Sequence, residues 1–146
     1  MQEKNNLLGL TLEELQDYLI SLNEKSYRGL QIFEWIHNKG VINFNSMTNL
    51  GSELIEKLKQ NSKIEVPKVI DVSTSSEGTK KFLLKLDNDS FIEMVKIPEK
   101  NRQTLCISSQ AGCALQCSFC ATGFNGFKRN LTSSEIISQL WLANYF

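Results

Sequence analysis

Thr104-Leu-Cys106-Ile-Ser-Ser-Gln-Ala-Gly112-Cys113-Ala-Leu-Gln-Cys117-Ser-Phe-Cys120 carries all four cysteines of the chain and decides how the rest is read. Cys113, Cys117 and Cys120 follow a Cys-x3-Cys-x2-Cys spacing, which lets one loop fold its thiolates around a single centre. A disulfide scaffold spreads its cysteines to close loops, whereas a tight cluster points to metal binding or thiol chemistry. Iron–sulfur cubanes are normally held by four cysteines, so three ligands leave one iron open to a substrate or cofactor. The alternative is zinc, with Cys106 as the fourth ligand. That spacing, Cys-x6-Cys-x3-Cys-x2-Cys, lacks the paired short knuckles common in zinc ribbons. Unligated core cysteines fit poorly beside Gly112, Gly123 and Gly126.

Immediately downstream, Thr132-Ser-Ser-Glu135 has the form of a capping box ahead of Ile136, Ile137, Leu140, Trp141 and Ala143, so a helix follows the loop. This helical pattern reaches Phe146 without a glycine, proline or polar stop, and the sequence reads as cut within a larger architecture. Upstream of the loop, Val69–Val72, Lys81–Leu86, Phe91–Ile97 and Thr104–Ser108 are short runs rich in strand formers. Turn chemistry at Ser73–Gly78 and Asp87–Ser90 makes the first three an antiparallel meander. Further back the period becomes helical. Thr11-Leu-Glu-Glu14 is another capping box, with Leu12, Leu15, Leu19 and Leu22 on one face. A second helix is expected over Tyr27–His37 with Leu30, Phe33 and Ile36 inward, ending where Gly40 takes a left-handed cap. A third covers Ser52–Gln60. The expected class is α+β: a small helical unit, a β meander, then a strand, the cysteine loop and a helix.

The 16 basic and 16 acidic residues balance. Between Glu99 and Glu135 there is no acid, while Lys100, Arg102, Lys128 and Arg129 fall there, so this stretch is suited to face an anion. The N-terminus lacks the cationic start and long apolar run of an export signal, and no apolar run is long enough to span a bilayer. A soluble cytoplasmic protein with no membrane partner is expected.

The segment from Thr104 through Gly123, followed by Gly126-Phe-Lys-Arg-Asn-Leu-Thr132, closely resembles the bacterial dual-specificity RNA methyltransferases that modify carbon 2 of adenine in 23S rRNA and in certain tRNAs. Tyr27-Arg-Gly-Leu-Gln-Ile-Phe-Glu-Trp35 and Phe44-Asn-Ser-Met-Thr-Asn-Leu50 extend the resemblance into that family's N-terminal accessory domain. The resemblance implies an accessory domain over residues 1–62, a meander over 63–103 and, over 104–146, the start of an incomplete radical S-adenosylmethionine (SAM) β/α barrel. It implies a [4Fe–4S] cluster on Cys113, Cys117 and Cys120 that splits SAM to a 5′-deoxyadenosyl radical, with Phe119 near the bound SAM. It further implies a methyl-carrying cysteine beyond Phe146, with Cys106 as the partner that forms a disulfide with it to release product. Glu93 matches the family's proposed proton acceptor, and flavodoxin or ferredoxin is the expected electron donor. The isolated chain is expected to be inactive.

The residues themselves leave alternatives beside these roles. Glu93, in Phe91-Ile-Glu-Met-Val95, is either a carboxylate desolvated by apolar neighbours, with its pKa raised, or an exposed strand glutamate. Cys106 on its own reads as a buried strand cysteine, and Phe119 as simple packing. The sister carbon-8 methyltransferase and a zinc-holding RNA-binding fragment are the rival functions. His37 is placed as a cationic helix cap, Trp35 and Trp141 as packing residues, and Lys128 and Arg129 as candidate phosphate contacts.

Overall fold

The structure, a computed structural model, describes residues 4–87, 89–113 and 126–146. It divides into two compact units, Met1–Glu65 with Asn144–Phe146, and Val66–Ala143.

The first unit is helical, with α1 over Leu12–Ser21, α2 over Tyr27–His37 and α3 over Ser52–Asn61. Both halves of the expected capping box form at the start of α1: Glu14 N donates to Thr11 Oγ1 at 3.2 Å, and Thr11 N donates to Glu14 Oε2 at 2.8 Å. Leu15 and Leu19 of α1, Ile32 and Ile36 of α2, and Leu54 and Leu58 of α3 are buried together with Leu7, Leu8 and Met47. The inward face of α2 differs from the one expected. Ile36 turns inward as expected, but Leu30 is 44 % exposed, and Gly29 and Ile32 complete the buried face instead. The cause is Gly29, where a Cβ would come within 2.9 Å of Gln16 Cγ and 3.0 Å of its Cα, so the α1 backbone approaches α2 where there is no side chain. Gly40 takes the expected left-handed conformation, at φ +63°.

His37 is not a cationic cap. Its ring packs 4.4 Å from Phe33, its Nε2 is buried without a partner, and burial holds its pKa below the ordinary value, which favours the neutral imidazole. The unit closes through a short parallel pair, β1 (Asn5–Asn6) with β2 (Ser62–Lys63). Beside it the Asn6 side chain donates to Glu65 O at 2.9 Å and accepts from Glu65 N at 3.2 Å.

The second unit is built on a four-stranded antiparallel sheet, β3 (Lys68–Thr74), β4 (Lys80–Lys85), β5 (Phe91–Pro98) and β6 (Gln103–Cys106), in that order. The expected meander thus forms, and Gln103–Cys106 joins it antiparallel to β5. Alternation puts Phe82, Leu84, Ile92 and Met94 on the buried face. The final helix, α4 (Ser133–Tyr145), contributes Leu142 to this core, with Ile136 and Trp141 packed against it. Its most buried residues are Ser138, Gln139 and Leu142, while Leu140 is 49 % exposed. Helices and an antiparallel sheet agree with the α+β class. Among the described residues no helix is long and apolar enough to cross a membrane.

Candidate cysteine-loop site

Cross-strand register decides which side chains share a face, because directly opposed residues point the same way and the period along a strand is two. Lys81 opposes Val95, and Val95 opposes Cys106. One step along, Leu83 opposes Glu93. Glu93 and Cys106 therefore stand on the same outer face, on adjacent strands, as diagonal neighbours about 7–8 Å apart by general sheet geometry. Sequence singled out both residues, yet nothing local in it put them on one surface.

Of the two readings of Glu93, the structure supports the exposed strand glutamate over the desolvated carboxylate. Its side chain is 51 % exposed and its Oε1 lies 3.1 Å from Lys81 Nζ. Phe91 and Val95 share its face, but Phe91 is itself half-exposed, so water and a lysine, not hydrocarbon, surround the carboxylate. Lys81 went unnoticed in the sequence because the pair forms across strands. Cys106 is likewise exposed with a free thiol, which corrects the buried-cysteine reading.

The cysteine loop leaves and rejoins the unit at one crossing. β7 (Gln110–Ala111) pairs antiparallel with β8 (Arg129–Asn130). Around this pair, Leu131 N donates to Ser109 O at 2.9 Å, Lys128 N to Ala111 O at 2.9 Å and Cys113 N to Gly126 O at 3.2 Å. Gly112 has φ +76°, and a Cβ there would lie 1.7 Å from Gly126 O, so only glycine allows the two chain segments to approach this closely. Cys113, with a partly exposed free thiol, stands at the base of the loop. Cys117, Phe119 and Cys120 lie outside the described residues. Among the described residues no three His, Cys, Asp or Glu side chains gather as a metal site.

Just after the crossing, Arg129 makes a two-pronged pair with Glu135, Nη1 to Oε2 at 2.8 Å and Nη2 to Oε1 at 2.7 Å, with side chains 31 % and 18 % exposed. Glu135 Oε2 also accepts from Thr132 N at 2.8 Å, completing the second expected capping box. The Arg129 guanidinium and the Thr132 amide hold the Glu135 carboxyl below the usual range. Arg129 is thus engaged within the protein. Gln139 was overlooked. Its buried amide accepts from Ser108 N at 2.8 Å and donates to Ser108 O at 2.8 Å, while Ser108 Oγ donates to the Glu93 carbonyl at 2.7 Å. The available signal was a glutamine three residues from both Ile136 and Leu142, on an otherwise apolar face.

Residues 5–64 match the family described as the ribosomal RNA large subunit methyltransferase N-terminal domain. The likeness continues past that domain. Over 142 residues the chain is 51 % identical to a dual-specificity RNA methyltransferase RlmN of Francisella tularensis subsp. novicida (strain U112), covering 97 % of this chain and 38 % of the relative. The likeness is to the N-terminal portion of these methyltransferases. The relative from Francisella tularensis subsp. holarctica (strain LVS) is 50 % identical over the same coverage. A crystal structure of a radical SAM methyltransferase from Sphaerobacter thermophilus matches with a TM-score of 0.88 and 34 % identity, over 95 % of this chain and 41 % of that one. The chain therefore spans well under half the length of these relatives.

Proposed function

We propose that this chain supplies the N-terminal portion of a radical SAM RNA methyltransferase that acts on carbon 2 of adenine in 23S rRNA and certain tRNAs. The observation that carries this reading is the shared outer face of Glu93 and Cys106, on the sheet that leads directly to the base of the cysteine loop. The match of residues 5–64 to a ribosomal RNA methyltransferase domain supports the carbon-2 reaction over the carbon-8 one, because the N-terminal extension is the part matched. Residues 1–62 serve as an accessory domain for RNA, 63–103 as the linking meander and 104–146 as the start of a β/α barrel. Reaching carbon 2 of a stacked adenine requires the base to be unstacked, a task suited to a domain that recognises RNA by shape.

The residues present suit the implied cluster. Cys113 carries a free, partly exposed thiol at a pinched loop base, and soft thiolate donors favour iron–sulfur centres. Cys113, Cys117 and Cys120 would hold a [4Fe–4S] cluster, with Phe119 beside the SAM it binds. When bound, the cluster supplies the electron for cleaving SAM, drawn from a donor such as flavodoxin or ferredoxin in the cytoplasm. Glu93 is the proton acceptor: Lys81 engages Oε1, leaving Oε2 to take the adenine proton. Cys106 presents the thiol for the disulfide that releases product. The isolated chain is inactive, since the methyl-carrying cysteine belongs to the remainder of the enzyme.

Anaerobic reconstitution with iron and sulfide tests the cluster. A cubane absorption and electron paramagnetic resonance spectrum that changes on adding SAM, and is lost in Cys113→Ala, is expected. A colourless protein holding one zinc and requiring Cys106 would overturn it.

A further inference from the structure

Past the end of β6, the Ser108 N–H and C=O are both taken up by one side-chain amide from α4, that of Gln139. Gln139 is fully buried, and its amide also donates to Glu135 O at 3.2 Å. With one bond accepted and two donated, it leaves neither nitrogen proton unused. Only a side chain offering a donor and an acceptor at that reach satisfies both backbone atoms. Glutamate lacks the donor, and an apolar residue would strand both groups inside the protein. Ser108 passes the constraint on through its hydroxyl to the carbonyl of Glu93, and Glu135 continues it in the other direction to Arg129, next to the loop crossing.

From this we infer that Gln139 is a positioning residue: by clamping Ser108 it sets the junction between the strand carrying Cys106, the strand carrying Glu93 and the loop carrying Cys113. The inference rests on the functional reading above. A side chain bonded in this way has one orientation, and a backbone junction fixed at both polar atoms cannot rotate its peptide planes independently. Such rigidity matters where reacting groups on separate elements must meet, since a misplacement of about 1 Å can cost on the order of a hundredfold in rate.

The test has two parts. In the 146-residue chain, amide hydrogen exchange is measured for the parent, Gln139→Met and Gln139→Glu. Exchange at Ser108 should rise at least about tenfold in Gln139→Met, which offers its N–H no acceptor, and less in Gln139→Glu, which keeps one, while the β4 and β5 amides stay protected; unchanged exchange at Ser108 in Gln139→Met overturns the clamp. For the second part, the chain is completed with the C-terminal remainder of the Francisella tularensis subsp. novicida relative. 5′-Deoxyadenosine formed and methyl groups transferred to RNA are then counted in the parent, Gln139→Met, Gln139→Glu and Ser108→Ala. A positioning role predicts intact iron and sulfide content, continued SAM cleavage and a ratio of cleavage to transfer raised about tenfold or more. A merely structural role lowers both counts together, leaves the ratio unchanged, and overturns the inference. If the parent itself loads no cluster, the functional reading falls separately, and the exchange comparison still decides the clamp.

Discussion

Two side-chain amides in this protein do the same chemistry in different surroundings. Asn6 in the helical unit and Gln139 in the sheet unit each bond both the N–H and the C=O of a single residue, Glu65 and Ser108 respectively. Asn6 works near the surface, where water can replace whatever is lost, whereas Gln139 works fully buried. The lesson is that water can replace the Asn6 stitch but not the Gln139 one. Each unit has an apolar core, local caps and a close glycine contact, Gly29 on Gln16 and Gly112 on Gly126; the second adds a fully buried side-chain amide clamp.

The strongest challenge to that contrast is at glycine. Gly112→Ala should cost about 3 kcal/mol or more, because the new Cβ meets a backbone oxygen at a positive φ. Gly51→Ala in the helical unit, where a Cβ meets nothing within 4 Å, should cost about 1 kcal/mol at most, as the loss of a helix-capping glycine. Urea unfolding of the two variants compares them, and equal costs would erase the distinction. Next in size, Gln139→Leu should destabilise by about 2–4 kcal/mol through two stranded backbone groups, against about 1 kcal/mol for Asn6→Ala. The same unfolding measurement ranks them.

A pH titration sharpens the comparison further. His37 has its pKa lowered by burial, so its contribution to the helical unit is complete above the unfolded value of about 6.5 and drains away as pH falls below it. Glu135 is also lowered, chiefly by Arg129, so its contribution is complete above about 4.3 and is lost only below that. Amide exchange followed downward in pH should therefore loosen α2 before the start of α4; the reverse order would contradict both assignments. The smallest effect belongs to the half-exposed Lys81–Glu93 pair. Lys81→Met should change stability by no more than about 1 kcal/mol, so any large loss of RNA methylation in a completed enzyme would report on Glu93 and not on folding.

Legibility in the sequence followed the range of the interactions involved. Both capping boxes, the span of α2 and the meander were readable, because a Thr, a Glu three residues on, or a turn between strand-forming runs acts within a few residues. The face of α2 was readable only at Ile36, since Gly29 matters only once Gln16 lies against it. The partner of Arg129 was only six residues away, yet it was missed because the chain must first reverse through β8 and the α4 cap. The pairing of Lys81 with Glu93 and the exposure of Cys106 needed the strand register, which no local pattern fixes. Gln139 was hidden for a related reason: a buried amide is unremarkable until the backbone it satisfies is known.

The register of β6 has one more consequence. Cys106 faces outward because it opposes Val95, while Leu105, opposite Lys96, packs against the core. A slip of one residue would turn the thiol inward and the leucine out. For this strand a folding error is also a chemical error: a misregistered molecule could keep its sheet and its helices, pass as folded by its circular dichroism, and still have its reactive sulfur sealed away. Alkylation of Cys106 under native conditions therefore measures the fraction of molecules whose last strand has docked in the correct frame.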